Sequence, residues 1–138
     1  MERYKYPKTP HLSYSTVTDR TDKKLSDESN FTGKTVAVAL KMDGENTTIY
    51  SDGFVHARSI NSAAHQSRSW VKAYAQTLQL PEEFRICGEN MWARHTIEYN
   101  DLKSYFLAFS IWVGDQCAEW KATKGILNEL SVEMVPVI

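Results

Sequence analysis

The sequence predicts an α+β fold in a single domain that spans residues 1–138. Segments with the alternating or uniformly apolar pattern of β-strands outnumber the two segments that have helical periodicity. The hydrophobic content of 42% and the charged content of 24% are typical of a globular domain with a core. The chain contains no internal repeat, low-complexity segment or linker that would divide it.

Strands are predicted along most of the chain. Residues 35–40 alternate between apolar and small side chains, as one half-buried strand does. Residues 47–50 and 54–58 flank a Ser-Asp-Gly turn and predict a hairpin. Three further strands are predicted, at residues 84–89, at the apolar run 105–112 and at residues 132–138.

Two helices are predicted from spacing. The first covers residues 66–80 and ends before Pro81, and the second covers residues 120–130. The first helix has one apolar stripe, which we assign to the core: Trp70, Val71, Tyr74, Ala75 and Leu78.

The charge distribution gives only a weak indication of a polyanionic partner. The net charge is −1, but residues 1–41 hold 8 Lys and Arg against 5 Asp and Glu, and residues 42–138 hold 8 against 12. The front third, with a net charge of +3, is therefore the better candidate to face phosphate. Within it Lys5, Lys8 and His11 could contact phosphate or belong to a solvated extended segment.

The cysteine content predicts a reducing compartment, and the hydropathy pattern bears on the location of the protein. Cys87 and Cys117 are too few for a disulfide framework, and no metal-ligand spacing occurs. The sequence shows no signal peptide and no long apolar run. We therefore expect a cytoplasmic protein, or one in the cytoplasm of a host cell if a phage encodes it.

The pattern Lys-x-Asp-Gly occurs at Lys41-Met42-Asp43-Gly44. The predicted strand 35–40 would deliver the Lys41 amine to its end, on the side that carries small residues, and Gly44 would let the backbone pass close to a ligand. The pattern alone is weak, because an exposed lysine before a turn gives the same letters.

Three other residues are candidates for a site on weaker grounds. Arg58, at the end of the hairpin, could bind ribose or phosphate, although a lone arginine there is more often on the surface. Glu89 ends a predicted strand after Gly88 and could bind ribose or a metal-bound water, or be a solvated carboxylate. Phe109, inside an apolar run, would by pattern alone belong to the core.

Four motifs in order resemble those of the covalent nucleotidyltransferases, and among them the RNA ligase family close to the phage nick-sealing enzymes. Lys41 to Asn46 resembles the nucleophile motif in its RNA-ligase form, in which an asparagine follows two after the glycine. The other three resemble the motif with a ribose-binding arginine, the Gly-Glu motif and the motif with an adenine-stacking aromatic residue: residues 56–59, 88–99 and 106–112.

The resemblance implies a nucleotidyltransferase (ATP-grasp-like ligase) domain of antiparallel sheets with a few flanking helices. It implies ATP and Mg²⁺ or Mn²⁺ as cofactors, and RNA with a 5′-phosphate and a 3′-hydroxyl as partner. Lys41 would become a lysyl-AMP intermediate, and Glu89 would also serve a metal ion through water. The implied nucleotide-binding residues are Asp43, Gly44, Asn46, Arg58, Glu89 and Phe109.

The sequence departs from the family's pattern in two ways. Leu40 stands where a glutamate often precedes the lysine, which affects adenine recognition. A Glu-Gly metal motif and a pair of phosphate-gripping lysines do not follow Met134. We therefore expect a partial adenylyltransferase domain that needs a downstream segment or second chain, and no RNA sealing by the isolated chain. The alternatives are a non-catalytic truncated or split fragment that binds nucleotide or RNA, and a DNA ligase or capping-type enzyme.

Overall fold

The computed structural model describes residues 1–16 and 21–138 and confirms the α+β class. Its five strands form one antiparallel sheet in the order β2-β1-β3-β4-β5. The strands are β1 Glu45–Tyr50, β2 Val55–Ala57, β3 Phe84–Asn90, β4 Phe106–Val113 and β5 Gln116–Cys117. The helices are α1 Ser69–Ala75 and α2 Trp120–Glu129, and short 3₁₀ turns lie at Ser29–Phe31 and Gln66–Arg68.

The described chain forms two compact units. One contains Met1–Tyr6 and Ala39–Ile138, with the sheet and both helices, and the other contains Pro7–Val38. Within the second unit Lys8 and His11 both face Asp22, at 3.6 and 3.3 Å. These two candidates for phosphate contact therefore already have an anionic neighbour.

The predicted hairpin is confirmed as β1 and β2. Gly53 adopts a φ of 83°, which an L-residue with a side chain rarely takes, and its N–H donates to the Tyr50 carbonyl at 3.0 Å. The turn sets the register Ile49 opposite Val55 and Thr48 opposite His56. Because side chains alternate, this register sends Ile49 and His56 to opposite faces of the sheet.

The hydrophobic core lies between one face of the sheet and the helices. Ile49, Ile86 and Ile111 come from three neighbouring strands and are fully buried. Helix α1 buries its apolar stripe against them, as predicted, and Leu127 of α2 joins the same cluster. The helices therefore cover one face and leave the other face for polar side chains.

Helix α1 ends at Ala75, five residues earlier than predicted. The Thr77 hydroxyl donates to the Tyr74 carbonyl at 2.7 Å, in competition with the backbone hydrogen bonds that would continue the helix. The residue before a proline also disfavours helical backbone, so Leu80, which precedes Pro81, is an unfavourable place for the helix to continue. The apolar stripe predicted the face of the helix correctly but not its length.

Two predicted strands are wrong. Residues 35–40 and 132–138 form no strand of the sheet and take part only in isolated bridges, Ala39 with Val137 and Met134 with Ala108. Val36, Val38 and Leu40 are 52%, 53% and 47% exposed, so their alternation does not mark a buried face. Alternation predicts an extended backbone, but it does not supply the neighbouring strand that a ladder requires.

Candidate functional site

The sheet face opposite the helices carries the predicted polar residues. Asn46 of β1 pairs with Glu89 of β3, and Thr48 pairs with Cys87. Directly opposed residues on neighbouring strands point to the same face, so these side chains form two adjacent rows. Glu89 lies at the end of its row nearest to the lysine motif.

Two anchors hold the segment that carries Lys41. The Leu40 N–H donates to the Pro136 carbonyl at 2.9 Å, and the Met42 side chain is buried in a small cluster with Met91, Leu107 and Val135. Lys41 lies between the anchors and is exposed. Its charge lies close enough to Glu89 to lower the pKa of that carboxyl group. The amine is thus held at the edge of the polar face without the strand that the sequence predicted.

Asp43 ties the lysine segment to the loop that follows β3. Its Oδ2 accepts hydrogen bonds from the backbone N–H groups of Thr96 and Ile97, both at 2.8 Å. Its own N–H donates to the Tyr99 hydroxyl at 2.9 Å. One carboxylate oxygen is therefore already used inside the protein, while the predicted nucleotide contact of Asp43 stays a prediction.

Gly44 occupies a place where no side chain fits. A Cβ atom there would lie 2.7 Å from the Asn90 carbonyl oxygen, 2.7 Å from Met91 Sδ and 2.9 Å from Glu89 Cγ. The Gly44 N–H also binds the Glu89 carboxylate. The close approach that the sequence predicted for this glycine is thus made to β3 of the protein itself.

Glu89 is a half-buried carboxylate on the polar face, with several charged and polar neighbours. Burial raises its pKa above the ordinary value, and Lys41, the Gly44 N–H and His95 act in the opposite direction. Beside it, Asn46 Oδ1 is buried and has no hydrogen-bond partner. A buried amide oxygen without a donor is costly, which makes it available to a ligand.

Phe109 owes its position to a bulge in β4. Cys87 pairs with Ser110 and Gly88 pairs with Ala108, so Phe109 has no partner residue on β3. The ring is half-buried and packs against the buried cluster of Met42. The contact of Phe109 with a nucleotide stays a prediction.

Arg58 follows directly after β2 and is exposed. It lies near the Tyr6 phenol, since its charge lowers the pKa of that group. Tyr6 in turn packs its ring against Phe109, with centroids 5.4 Å apart. The structure therefore places the Lys41 charge near Glu89, and it links Arg58 to Phe109 through Tyr6.

Sequence analysis missed several residues of this region. Tyr99 and His95 fall inside the extended Gly-Glu motif at residues 88–99, but no spacing signal separates them from their neighbours. Glu45, within the lysine motif, forms an ion pair with Arg68 through two hydrogen bonds of 2.8 Å. Tyr6 carries no local signal, because its contacts are with residues far along the chain.

A groove of about 510 Å³ lies beside the lysine segment. Leu40 and Met42 form part of its wall, together with Tyr99, Leu107 and Pro136. Lys41, Glu89 and Phe109 do not line it. The groove therefore borders the polar site and is not the same space.

The polar face fits a magnesium ion bound together with phosphate. Among residues 1–16 and 21–138 no group of three His, Cys, Asp or Glu side chains could hold a metal by itself. Mg²⁺ at phosphate sites commonly uses one or two protein oxygens and fills its other positions with phosphate and water. Glu89 and the unpaired Asn46 Oδ1 provide such oxygens next to each other.

Comparison with known proteins gives the family. A model of the family described as RNA ligase matches residues 34–138. This chain belongs to the RNA ligase family. The matched residues include every predicted site residue from Lys41 to Phe109 but not Tyr6. No curated protein and no solved structure matched the chain.

No described helix of this RNA ligase family member has the length and apolar character that crossing a bilayer requires.

Proposed function

We propose that this protein is an ATP-dependent RNA ligase that works through a lysyl-AMP intermediate on Lys41. The observation that carries the proposal is the arrangement around Lys41, within a chain that belongs to the RNA ligase family. Lys41 is exposed and lies between the Leu40–Pro136 hydrogen bond and the buried Met42 side chain, and its charge lies near the half-buried Glu89 carboxylate. A nucleophile held in this way can meet a nucleotide from the solvent side.

In the first step the unprotonated Lys41 Nζ attacks the α-phosphorus of ATP. A nitrogen–phosphorus bond forms, the bond from the α-phosphorus to the bridging oxygen breaks, and pyrophosphate leaves. Lys41 is exposed, so the proton of the amine can pass to water. The Gly44 N–H fixes the Glu89 carboxylate, which lies near the Lys41 side chain.

In the second step an oxygen of the RNA 5′-phosphate attacks the α-phosphorus and frees Lys41. In the third step the RNA 3′-hydroxyl attacks the activated 5′-phosphate and expels AMP. Arg58 binds the ribose and Phe109 stacks on adenine in this proposal. Glu89, through water, and Asn46 Oδ1 would hold Mg²⁺ or Mn²⁺, which supplies positive charge against the phosphate oxygens.

The test compares nucleotides and acceptors side by side. A polypeptide that contains this chain is given α-labelled ATP or GTP with Mg²⁺, and then nicked RNA or nicked DNA. We expect label from ATP and its transfer to the 5′-phosphate of RNA, with loss of both in Lys41→Ala. Label from GTP would point to a capping-type enzyme, and preferred transfer to DNA would point to a DNA ligase. Either outcome would overturn the proposal.

A further inference from the structure

The segment Met1–Tyr6, which we call the strap, lies in the same compact unit as the sheet. Arg3 at its front binds Asp52 in the hairpin turn through hydrogen bonds of 3.1 and 2.6 Å. The Tyr4 N–H donates to the Tyr50 hydroxyl at 2.8 Å. Tyr50 belongs to the polar face of β1, so these contacts fasten the strap across that face.

Tyr50 joins the strap to a buried histidine. The Tyr50 hydroxyl and His56 Nε2 lie 2.9 Å apart, and His56 Nδ1 lies close to the Ala57 carbonyl. The hydroxyl therefore donates to Nε2 while it accepts from Tyr4. The strap is thus part of a hydrogen-bonded network that includes Tyr50 and His56.

Tyr6 contacts Phe109, the residue proposed for the base, and lies near the charge of Arg58, the residue proposed for the ribose. Its ring meets the Phe109 ring edge-on, at 5.4 Å and 76°, and the Trp112 ring at 6.0 Å and 79°. Burial raises the pKa of the Tyr6 phenol, and the nearby Ser110 hydroxyl and Arg58 charge act in the opposite direction. The Tyr6 side chain therefore contacts the Phe109 and Trp112 rings and lies near the Arg58 charge.

The orientations of Phe109 and Arg58 depend on contacts outside the β-ladder. Phe109 sits at the bulge and has no partner on β3, so its orientation is set by what packs against it. The cluster of Met42 packs on it from one direction, and Tyr6 provides an aromatic contact of its own. Arg58 lies beyond the end of β2, where the ladder no longer fixes the backbone.

We propose that Tyr6 is a positioning residue of the nucleotide site. Its ring supports the edge of Phe109, so that Phe109 keeps one orientation toward adenine. Its hydroxyl lies near the Arg58 charge and would favour the position of that arginine on the side of the ribose. The inference rests on the proposed ATP-dependent function and adds the strap, which lies outside the matched residues 34–138, to the site.

The experiment measures the dissociation constants of ATP and 2′-deoxy-ATP for the whole chain and its variants. Tyr6→Leu removes the ring and should weaken ATP binding about tenfold, because Phe109 loses its edge-to-face contact and the hydroxyl is lost as well. Tyr6→Phe keeps the ring and should restore most of the ATP affinity. It should also reduce the preference for ATP over 2′-deoxy-ATP, because only the hydroxyl is lost.

Tyr4→Leu is the matched control. Tyr4 is also a tyrosine of the strap, but the Arg85 guanidinium lies 4.5 Å from its ring centroid, and its hydrogen bond to Tyr50 uses the backbone. This variant should lose some thermal stability and keep the ATP affinity. In addition, Tyr6→Leu and Phe109→Leu should combine less than additively, because both disturb one contact.

Each outcome decides the inference. Unchanged ATP affinity in Tyr6→Leu, or an equal loss in Tyr4→Leu, overturns the role of Tyr6 and leaves the proposed function standing. If the polypeptide that contains the unaltered chain binds no ATP, the proposed function fails and the inference fails with it. If Tyr6→Leu does not fold, Tyr6→Phe decides. A reduced preference for ATP over 2′-deoxy-ATP then supports the role, and an unchanged preference overturns it.

Discussion

At the scale of single residues, the site is built from groups with unequal protein contacts. Asp43 and Gly44 are held tightly by the protein, through hydrogen bonds and through a lack of space. Lys41 and the Asn46 oxygen are exposed or unpaired. Within the lysine motif two residues therefore fix the loop, and two present groups that the protein does not use.

The free energy of unfolding of Glu89→Gln, relative to that of the unaltered chain, should increase as the pH rises. Burial raises the pKa of Glu89 in the folded state, so folding favours its protonated form. That contribution is fully present below the unfolded value of 4.5 and is lost as the pH rises through the folded pKa. Chemical denaturation from about pH 4 to about pH 7 should show Glu89→Gln gaining free energy of unfolding over the unaltered chain.

The exposed Glu82, just before the same strand, provides the control variant Glu82→Gln. A free-energy difference for Glu89→Gln that stays flat or falls with pH would contradict the assignment of burial as the dominant cause.

Replacement of Asp43 by Ala should loosen the loop after β3. Hydrogen bonds to a charged carboxylate contribute about 1.5–3 kcal/mol each, and Asp43 accepts two from this loop. Hydrogen exchange at the amides of Thr96 and Ile97 should therefore become at least about tenfold faster. Asp101→Ala, in an exposed position nearby, is the control. Unchanged exchange at both amides would show that Asp43 does not hold the loop.

At the scale of elements, sequence patterns predicted the strands and the helix face that pack into the core. They failed where a strand needs a partner from a distant part of the sequence. The hairpin, strands β3 and β4 and the apolar face of α1 follow from local turn chemistry and burial. The strand at residues 35–40 does not form, because no neighbouring strand pairs along it. The bulge at Phe109 leaves no trace in the apolar run 106–112.

The same division holds for the candidate site. The motifs at Lys41, Gly44 and Glu89 are short and local, and the fold brings these residues together. Tyr6 and Tyr99 reach the region only through tertiary contacts, which a single sequence does not reveal. Local spacing thus predicts the candidate reactive groups but not the residues that pack around them.

Phe109 and Phe106 lie on the same strand and should respond differently to replacement by Leu. Phe109 is half-buried at the bulge, so Phe109→Leu should cost less than about 1.5 kcal/mol of stability. It should weaken ATP binding about tenfold, because base–aromatic stacking is worth roughly 1–3 kcal/mol. Phe106 is fully buried, so Phe106→Leu should cost more stability and leave the affinity unchanged. Calorimetry and thermal unfolding give both quantities.

The opposite pattern, in which Phe109→Leu unfolds the protein or keeps full ATP affinity, would assign Phe109 to the core.

At the scale of the whole molecule, the fold presents one polar face with the exposed Lys41 at its edge. Helices α1 and α2 cover the apolar face, so the β1 and β3 rows that contain Asn46 and Glu89 remain for a ligand. The strap lies along part of this polar face. A family match over residues 34–138 and an exposed lysine at this edge support the same proposal, nucleotide transfer through Lys41.

The most direct measurement of this central claim is the position of the nucleotide on the protein. A polypeptide that contains this chain is incubated with ATP and Mg²⁺, digested and mapped by mass spectrometry. We predict that any covalent nucleotide is one AMP on Lys41, absent from Lys41→Ala and retained in Lys34→Ala, whose replaced lysine is also exposed. AMP on Lys34 or another residue, or normal labelling of Lys41→Ala, would contradict the account.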